Sequence, residues 1–154
     1  MANAKIGAHP SHGYQVAETI TKAKQLAGGD SGKVFYVAQG SATYVVNLPQ
    51  ISTEIAGWHA KFFMTAANAS VEINGFGVVA GGSDSTATSA DIDDDKMYLV
   101  EIGHTEATVA LSDGISWGGS ASTVGSSIEI HCNGTYWFAT GYGVIAADIV
   151  SVDS

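Results

Sequence analysis

The chain has 154 residues, of which 45% are hydrophobic, 19 are glycine and only one, Cys132, is cysteine. This length favours a single domain with a self-sufficient core, and the lone cysteine excludes an internal disulfide framework. A formal charge of −9 disfavours nucleic acid as a partner, because binding to phosphates depends on clustered Lys and Arg.

The sequence also argues against a membrane partner. No apolar run approaches the ~20 residues that a membrane-spanning helix needs. The segment from Met1 to Pro10 is polar and lacks the apolar stretch of a secretory signal, so we expect a protein made in the cytoplasm. Strong helix formers are scarce, whereas β-branched and aromatic residues recur in short runs between glycine-containing turns, which is typical of an all-β chain.

Residues 1–17 form the first distinct segment. They show neither the period of a strand nor that of a helix, so we predict an extended N-terminal arm, with a frayed terminus as the alternative. Lys5, Ile6, Tyr14 and Val16 are the side chains in it that could anchor the arm on a partner.

Strand-like runs begin at Ile20 and continue through the rest of the chain. The runs cover 20–26, 33–38, 42–48, 58–65, 70–80, 97–103, 107–111, 128–140 and 143–152. Pro49–Gly57 is predicted to be a loop or a single helical turn. Roughly eight to ten strands with closely spaced turns favour an antiparallel β-sandwich or jelly-roll-like domain over residues 18–154.

Two Asn-Gly pairs predict hairpins with type I′ turns, in which both central residues need a positive φ. A hairpin centred on Asn74-Gly75 would pair Ile73 with Phe76 and place apolar residues on one face. A hairpin centred on Asn133-Gly134 would pair His131 with Tyr136. In the second hairpin, one predicted face is apolar and includes Cys132, and the other mixes aromatic and polar groups.

Two polar stretches are predicted to be loops. Gly81–Asp95 ends in the acidic run Asp91–Asp95, whose spacing resembles the start of an EF-hand, but Lys96 stands where the EF-hand needs glycine. We interpret it as a solvated loop, with a looser calcium site as the alternative. Ser116–Ser126 carries Trp117, which we expect to pack in a core or subunit interface, or alternatively to stack on a sugar.

No set of catalytic or metal-binding residues emerges. Gly29-Asp30-Ser31-Gly32 matches the nucleophile loop of trypsin-like serine proteases, yet only His9 and His12 precede the serine, so we interpret it as a glycine turn. The five histidines lack the short spacing of a zinc site; they are His9, His12, His59, His104 and His131. We predict a non-enzymatic protein with no cofactor and no metal, and keep a small hydrolase as a minor alternative.

Two stretches resemble a pattern of tailed-phage virion proteins. The first comprises residues 26–36 (LAGGDSGKVFY), 42–49 (ATYVVNLP) and 56–62 (AGWHAKF), and is similar to a run found in phage decoration, head-fibre and tail-fibre domains. The second, residues 125–140 (GSSIEIHCNGTYWFAT), is similar to a hairpin that closes many of these domains. Together they cover about half the chain.

The resemblance implies a structural protein of the virion. The expected function is that of a capsid decoration (cement) protein, which binds the major capsid protein on the outer surface of the shell and stabilises it. Such proteins are commonly trimers, so the resemblance also implies a homotrimer. The alternative is a head or tail fibre domain that binds a glycan on the host surface.

Overall fold

The computed structural model describes residues 16–38, 44–66, 70–78, 96–102, 111–118, 124–143 and 149–152. Over these ranges the chain is built from β-strands, with only two short 3-10 helices, Gly28–Asp30 and Thr53–Ile55. The prediction of a β-rich chain with almost no helix is confirmed. Pro49–Gly57, predicted as a loop or a single helical turn, contains the second of these short helices.

Twelve strands are present in the described residues. They are β1 (Val16–Ile20), β2 (Lys24–Gln25), β3 (Lys33–Val37), β4 (Tyr44–Asn47), β5 (His59–Met64), β6 (Ser70–Asn74), β7 (Met97–Ile102), β8 (Leu111–Ser112), β9 (Gly114–Gly118), β10 (Ser127–Cys132), β11 (Trp137–Tyr142) and β12 (Ile149–Val152). Seven strands form one sheet in the order β1-β3-β5-β10-β11-β7-β8, and five form a second in the order β12-β9-β6-β4-β2.

Both sheets are mixed, so the expectation of purely antiparallel sheets is wrong. The first six strands alternate between the two sheets, and each pairs in parallel with the strand two places along the chain. A strand that is separated from its partner by a strand of the other sheet can return in the same direction, which a tight hairpin cannot do. Antiparallel pairing joins β10 to both β5 and β11, and β9 to both β6 and β12.

One hydrophobic cluster draws buried side chains from both sheets. Burial alternates with a period of two along β5 and β11, as expected for strands with one face on a core. The indole of Trp137 in β11 packs edge-on against that of Trp58, with ring centroids 5.2 Å apart. Cys132 is buried in this cluster, as predicted, and its Sγ accepts a hydrogen bond from the Gly134 amide.

The hairpin predicted at Asn74-Gly75 is not formed. Strand β6 already has two neighbours, β4 and β9, so no edge is left for a partner made from the residues that follow it. The Gly75 amide donates to the carbonyl of Asp113, and the positive φ of this turn occurs at Gly77. The burial of Val71 and Ile73 on one face is nevertheless as predicted.

The hairpin at Asn133-Gly134 is formed, with a longer turn than predicted. The register pairs Cys132 with Trp137 and His131 with Phe138, two residues away from the predicted pairing with Tyr136. Asn133 Oδ1 accepts hydrogen bonds from the amides of the second and third residues after it, which closes a four-residue loop. A shift of two residues preserves the faces of both strands, so the predicted inner and outer faces are correct.

The structure bears only in part on the predicted arm and the two predicted loops. β1 begins at Val16, so the arm boundary predicted at residue 17 falls inside a strand, and Lys5, Ile6 and Tyr14 lie outside the described residues. The whole of the predicted loop Gly81–Asp95, with its acidic run, also lies outside them. Trp117 is in strand β9 and is 1% exposed, so the start of the second predicted loop is wrong and the tryptophan packs in the core.

Candidate functional site

The outer face of the seven-stranded sheet is the candidate functional surface. In β5, β10 and β11, every second side chain is buried in the core, and the intervening ones point to the opposite side. We call this opposite side the outer face. It comprises His59, Lys61, Phe63, Glu129, His131, Phe138, Thr140 and Tyr142, together with Val34 and Tyr36 of β3, Tyr98 of β7, Leu111 of β8 and the adjoining Tyr136.

A row of rings crosses four strands of this face. Strand register places His59, His131, Phe138 and Tyr98 side by side, and we call these four residues the aromatic row. Leu111 of β8 extends the row by one strand. Because the four residues belong to β5, β10, β11 and β7, only the sheet brings them together.

The rings of the aromatic row pack against each other in pairs. The imidazoles of His59 and His131 are stacked, with centroids 5.9 Å apart and planes 17° apart. Phe138 and Tyr98 are stacked at 5.5 Å, again with planes 17° apart. Tyr136 meets Tyr98 edge-on at 5.4 Å. Within each stacked pair, one ring covers a face of its neighbour.

Exposed apolar side chains concentrate on this face. Six large hydrophobic residues of the described chain are exposed, and four of them belong to the outer face. These four are Tyr36, Leu111, Phe138 and Tyr142, each about 40% exposed. Exposed aromatic and apolar side chains gathered on one face are typical of an interaction surface.

The outer face is close to electrically neutral. Lys61 Nζ lies 2.5 Å from Glu129 Oε1 and 5.2 Å from the ring centroid of Phe63. Lys96 Nζ lies 5.6 Å from the ring centroid of Tyr136. The described charged groups of the face and its rim are therefore two lysines and one glutamate, on a chain whose formal charge is −9.

A cluster of ion pairs lies at the β1 edge of the same sheet. Glu18 accepts hydrogen bonds from Lys24 and Lys33, and Lys33 also bonds Asp30, which caps the turn before β3. The hydrogen bond from Lys24 is the main reason that the pKa of Glu18 is lowered. Burial alone would raise the pKa of Asp30, but the hydrogen bonds from Lys33 and the Ala27 amide outweigh it and lower that pKa. The cluster joins β1 to β3 electrostatically.

The Gly29–Gly32 motif is a glycine turn, as predicted. Gly28–Asp30 forms one of the 3-10 helices and Gly32 has a φ of 80°. Ser31 Oγ accepts a hydrogen bond from the backbone amide of His59 at 3.3 Å, so the hydroxyl ties this turn to β5. The turn also lines one side of an open groove with the 3-10 helix 53–55.

Sequence reasoning missed the proximity of His59 and His131, which are 72 positions apart in the chain. The usable signal was the polar and aromatic face predicted for the second hairpin, which contains His131. Nothing in the sequence placed β5 beside that hairpin. Of the four predicted arm residues, only Val16 lies in the described part, where it is 53% exposed at the start of β1.

No family model, curated protein or solved structure matches the chain. Within the part of the chain that the structure describes, no helix has the length and apolar character required to cross a membrane. Among the same residues, no group of three or more His, Cys, Asp or Glu side chains is arranged to hold a metal ion.

Proposed function

We propose that the protein is a structural component of a phage virion that binds the outer surface of the capsid and stabilises it. The observation that carries this proposal is the outer face, an aromatic and nearly neutral surface on a strongly acidic chain. The resemblance of residues 26–62 and 125–140 to phage virion domains supplies the kind of partner, the major capsid protein.

The composition of the outer face suits attachment to protein. Interfaces are enriched in Tyr and Phe, and their centres are depleted of charged residues. A chain of charge −9 is repelled by other acidic surfaces, so contact is favoured where its own charge is balanced. The pairing of Lys61 with Glu129 leaves neither charge without a partner when water is removed.

The size of the face indicates why the arm would be needed as well. Six of the seven strands have five or six residues and β8 has two, so at about 4.8 Å between strands the face spans roughly 29 Å by at most 18 Å. This is on the order of 500 Å² in projection, below the ≈ 800 Å² of accessible surface that each partner buries in a standard interface. In the proposal, the arm 1–17, with Lys5, Ile6, Tyr14 and Val16 as anchors, supplies the rest.

The proposal also covers how the two sheets pack and how many chains associate. We propose that the two sheets pack as a β-sandwich in jelly-roll-like fashion, and that three copies of the chain associate as a homotrimer on the shell. A cement protein built in this way is made in the host cytoplasm and acts on the capsid surface without catalysis. Its effect is to add interface area across the joints between capsomers.

A co-sedimentation assay tests the proposal. Purified protein is mixed with undecorated capsids assembled from the major capsid protein of the same phage genome, and the bound fraction is measured. We expect saturable binding and a higher temperature of capsid disruption. The double variant Phe138→Ser/Tyr142→Ser should weaken binding at least about tenfold, because large aromatic side chains dominate interface free energies.

The matched control is Val124→Ser. Val124 is an exposed apolar residue in the turn before β10 and is not one of the outer-face residues, so this variant should bind as the parent does. Absence of binding to any capsid, or localisation of the protein to tails by electron microscopy, would reject the capsid assignment. Selective binding on a glycan array would instead favour a fibre domain, although Trp117 is buried and cannot supply that contact in this fold.

A further inference from the structure

The stacked pair of His59 and His131 brings two imidazole rings, both potential metal ligands, side by side on the outer face. These residues lie directly opposite each other on β5 and β10. The Cys132 amide donates to the Trp58 carbonyl at 2.8 Å, so the preceding pair along the ladder is hydrogen-bonded. In an antiparallel ladder such pairs alternate with non-hydrogen-bonded ones, in which opposing side chains lie closer together. His59 and His131 occupy one of these closer positions.

The hydrogen bond of His59 defines which ring nitrogen can bind a metal. Nδ1 lies 3.1 Å from the carbonyl oxygen of Gly57. A carbonyl oxygen only accepts, so this contact favours the tautomer with the proton on Nδ1 and the lone pair on Nε2. A backbone carbonyl that orients the second ring nitrogen is the usual companion of a metal-ligating histidine.

The surroundings are compatible with a cation. The diagonal neighbours on the outer face are Lys61 and Glu129, whose charges are paired with each other at 2.5 Å. His131 is exposed, so an ion would reach the pair from solvent and would retain water as its remaining ligands. A site with two protein ligands is consistent with the absence of larger ligand groups in the described residues.

We propose that His59 and His131 form a two-histidine binding site for a divalent transition-metal ion, with Nε2 of His59 and one ring nitrogen of His131 as ligands. Imidazole suits zinc, nickel and copper, and the Irving–Williams order ranks Cu²⁺ as the tightest of the three. Binding converts a stacked cross-strand contact into a coordinated link between β5 and β10. Both residues belong to the outer face that we propose contacts capsids, but the metal site itself does not rest on that attachment.

The test uses full-length protein without a polyhistidine tag. The other histidines are removed first, in His9→Asn/His12→Asn/His104→Asn, so that only the cross-strand pair remains. Calorimetric titration with Cu²⁺, and separately with Zn²⁺, should show one ion bound per chain. Adding His131→Asn to this background should weaken the affinity at least about tenfold, because it removes a ligand.

Two further measurements make the result decisive. In the otherwise unchanged protein, His104→Asn should leave the affinity of the pair as it is. Zn²⁺ should shift the imidazole NMR resonances of His59 and His131 together, which metal bound elsewhere would not do. Failure of the triple variant to bind either ion, or equal affinity with and without His131, would overturn the proposal. Circular dichroism establishes that each variant is folded, and His131 is the deciding position because it is exposed.

Discussion

Gly114 shows how closely a single position can be constrained by the strand beside it. It lies opposite Asn74 in the β6–β9 ladder, and Asn74 is fully buried. A Cβ atom at position 114 would lie 2.8 Å from the Asn74 Cα and closer still to its side chain. That distance is shorter than normal van der Waals contact, and the Asn74 backbone cannot move without disturbing its pairing with β4.

We therefore expect Gly114→Ala to destabilise the protein by about 1–3 kcal/mol, the usual range for overpacking a well-packed site. Gly29→Ala is the matched control, since no atom lies within 4 Å of a Cβ built there. Urea unfolding followed by tryptophan fluorescence would measure both. Equal stability of the two variants would mean that the β6–β9 ladder relaxes more readily than this packing implies.

At the scale of elements, the ion-pair cluster makes the β1–β3 pairing sensitive to acid. The pKa values of Glu18 and Asp30 are both lowered from ordinary values of 4.5 and 3.8 by hydrogen bonds that exist only in the folded chain. A carboxyl group whose pKa is lowered by folding stabilises the protein at pH values above its ordinary pKa. That contribution is lost as the pH falls through the lowered pKa of the folded state. The relevant window therefore begins near pH 4.5 and extends downward.

The variant Glu18→Gln should lower stability at pH 7 and have a smaller effect at pH 3, because the contribution of the parent carboxylate is lost as the pH falls through its lowered pKa. The measurement is the urea midpoint of parent and variant at both pH values. Glu54→Gln, at an exposed position in the second 3-10 helix, is the control and should leave the pH dependence unchanged. A difference between parent and Glu18→Gln that persists undiminished at pH 3 would contradict a charge-dependent role.

The N-terminal arm can be separated from the sheet at a defined point. Pairing of β1 with β3 begins at Val16 opposite Lys33, so a chain that starts at Val16 keeps the whole ladder. We expect removal of residues 1–15 to leave the far-ultraviolet circular dichroism spectrum and cooperative unfolding intact, while capsid binding weakens at least about tenfold. An ordered arm gives up roughly 1–2 kcal/mol of backbone entropy per residue, which only substantial burial on a partner offsets.

Replacement of Lys5, Ile6 and Tyr14 by alanine in the full-length protein is the companion variant, and it should reproduce the loss of binding. Loss of cooperative unfolding on truncation would make residues 1–15 part of the core. Undiminished capsid binding would place attachment on the outer face alone.

At the scale of the whole molecule, the net negative charge of the chain opposes self-association. A charge of −9 on each chain opposes the homotrimer that we propose, and screening by salt reduces that opposition, since the Debye length falls from about 30 Å at 0.01 M to about 10 Å at 0.1 M. Sedimentation velocity should therefore show a three-chain species whose fraction grows with ionic strength. A monomer at every salt and protein concentration tested would exclude the trimer.

The two Asn-Gly sites show when turn residues determine the local structure of this chain and when strand pairing overrides them. At Asn133 the side chain and the following glycine act within four residues, and the hairpin forms because β10 and β11 are also partners in the sheet. At Asn74 the same dipeptide is present, but pairing of β6 with β4 and β9 occupies both edges of the strand. Turn chemistry contributes of the order of 1 kcal/mol per hydrogen bond, which a full set of ladder contacts outweighs.

The sequence by itself determined the β-rich character of the chain, most strand positions, the inner faces of β10 and β11, and the burial of Cys132. These features depend on the alternation of apolar side chains, which each strand carries whatever its neighbours are. Only the tertiary structure decided which strands are neighbours, and with them the parallel pairing of strands two apart in the chain, the place of Trp117 in the core, and the proximity of His59 and His131. Strand pairing is made by backbone hydrogen bonds that are nearly independent of side-chain identity, so its choice depends on how the whole chain packs its core.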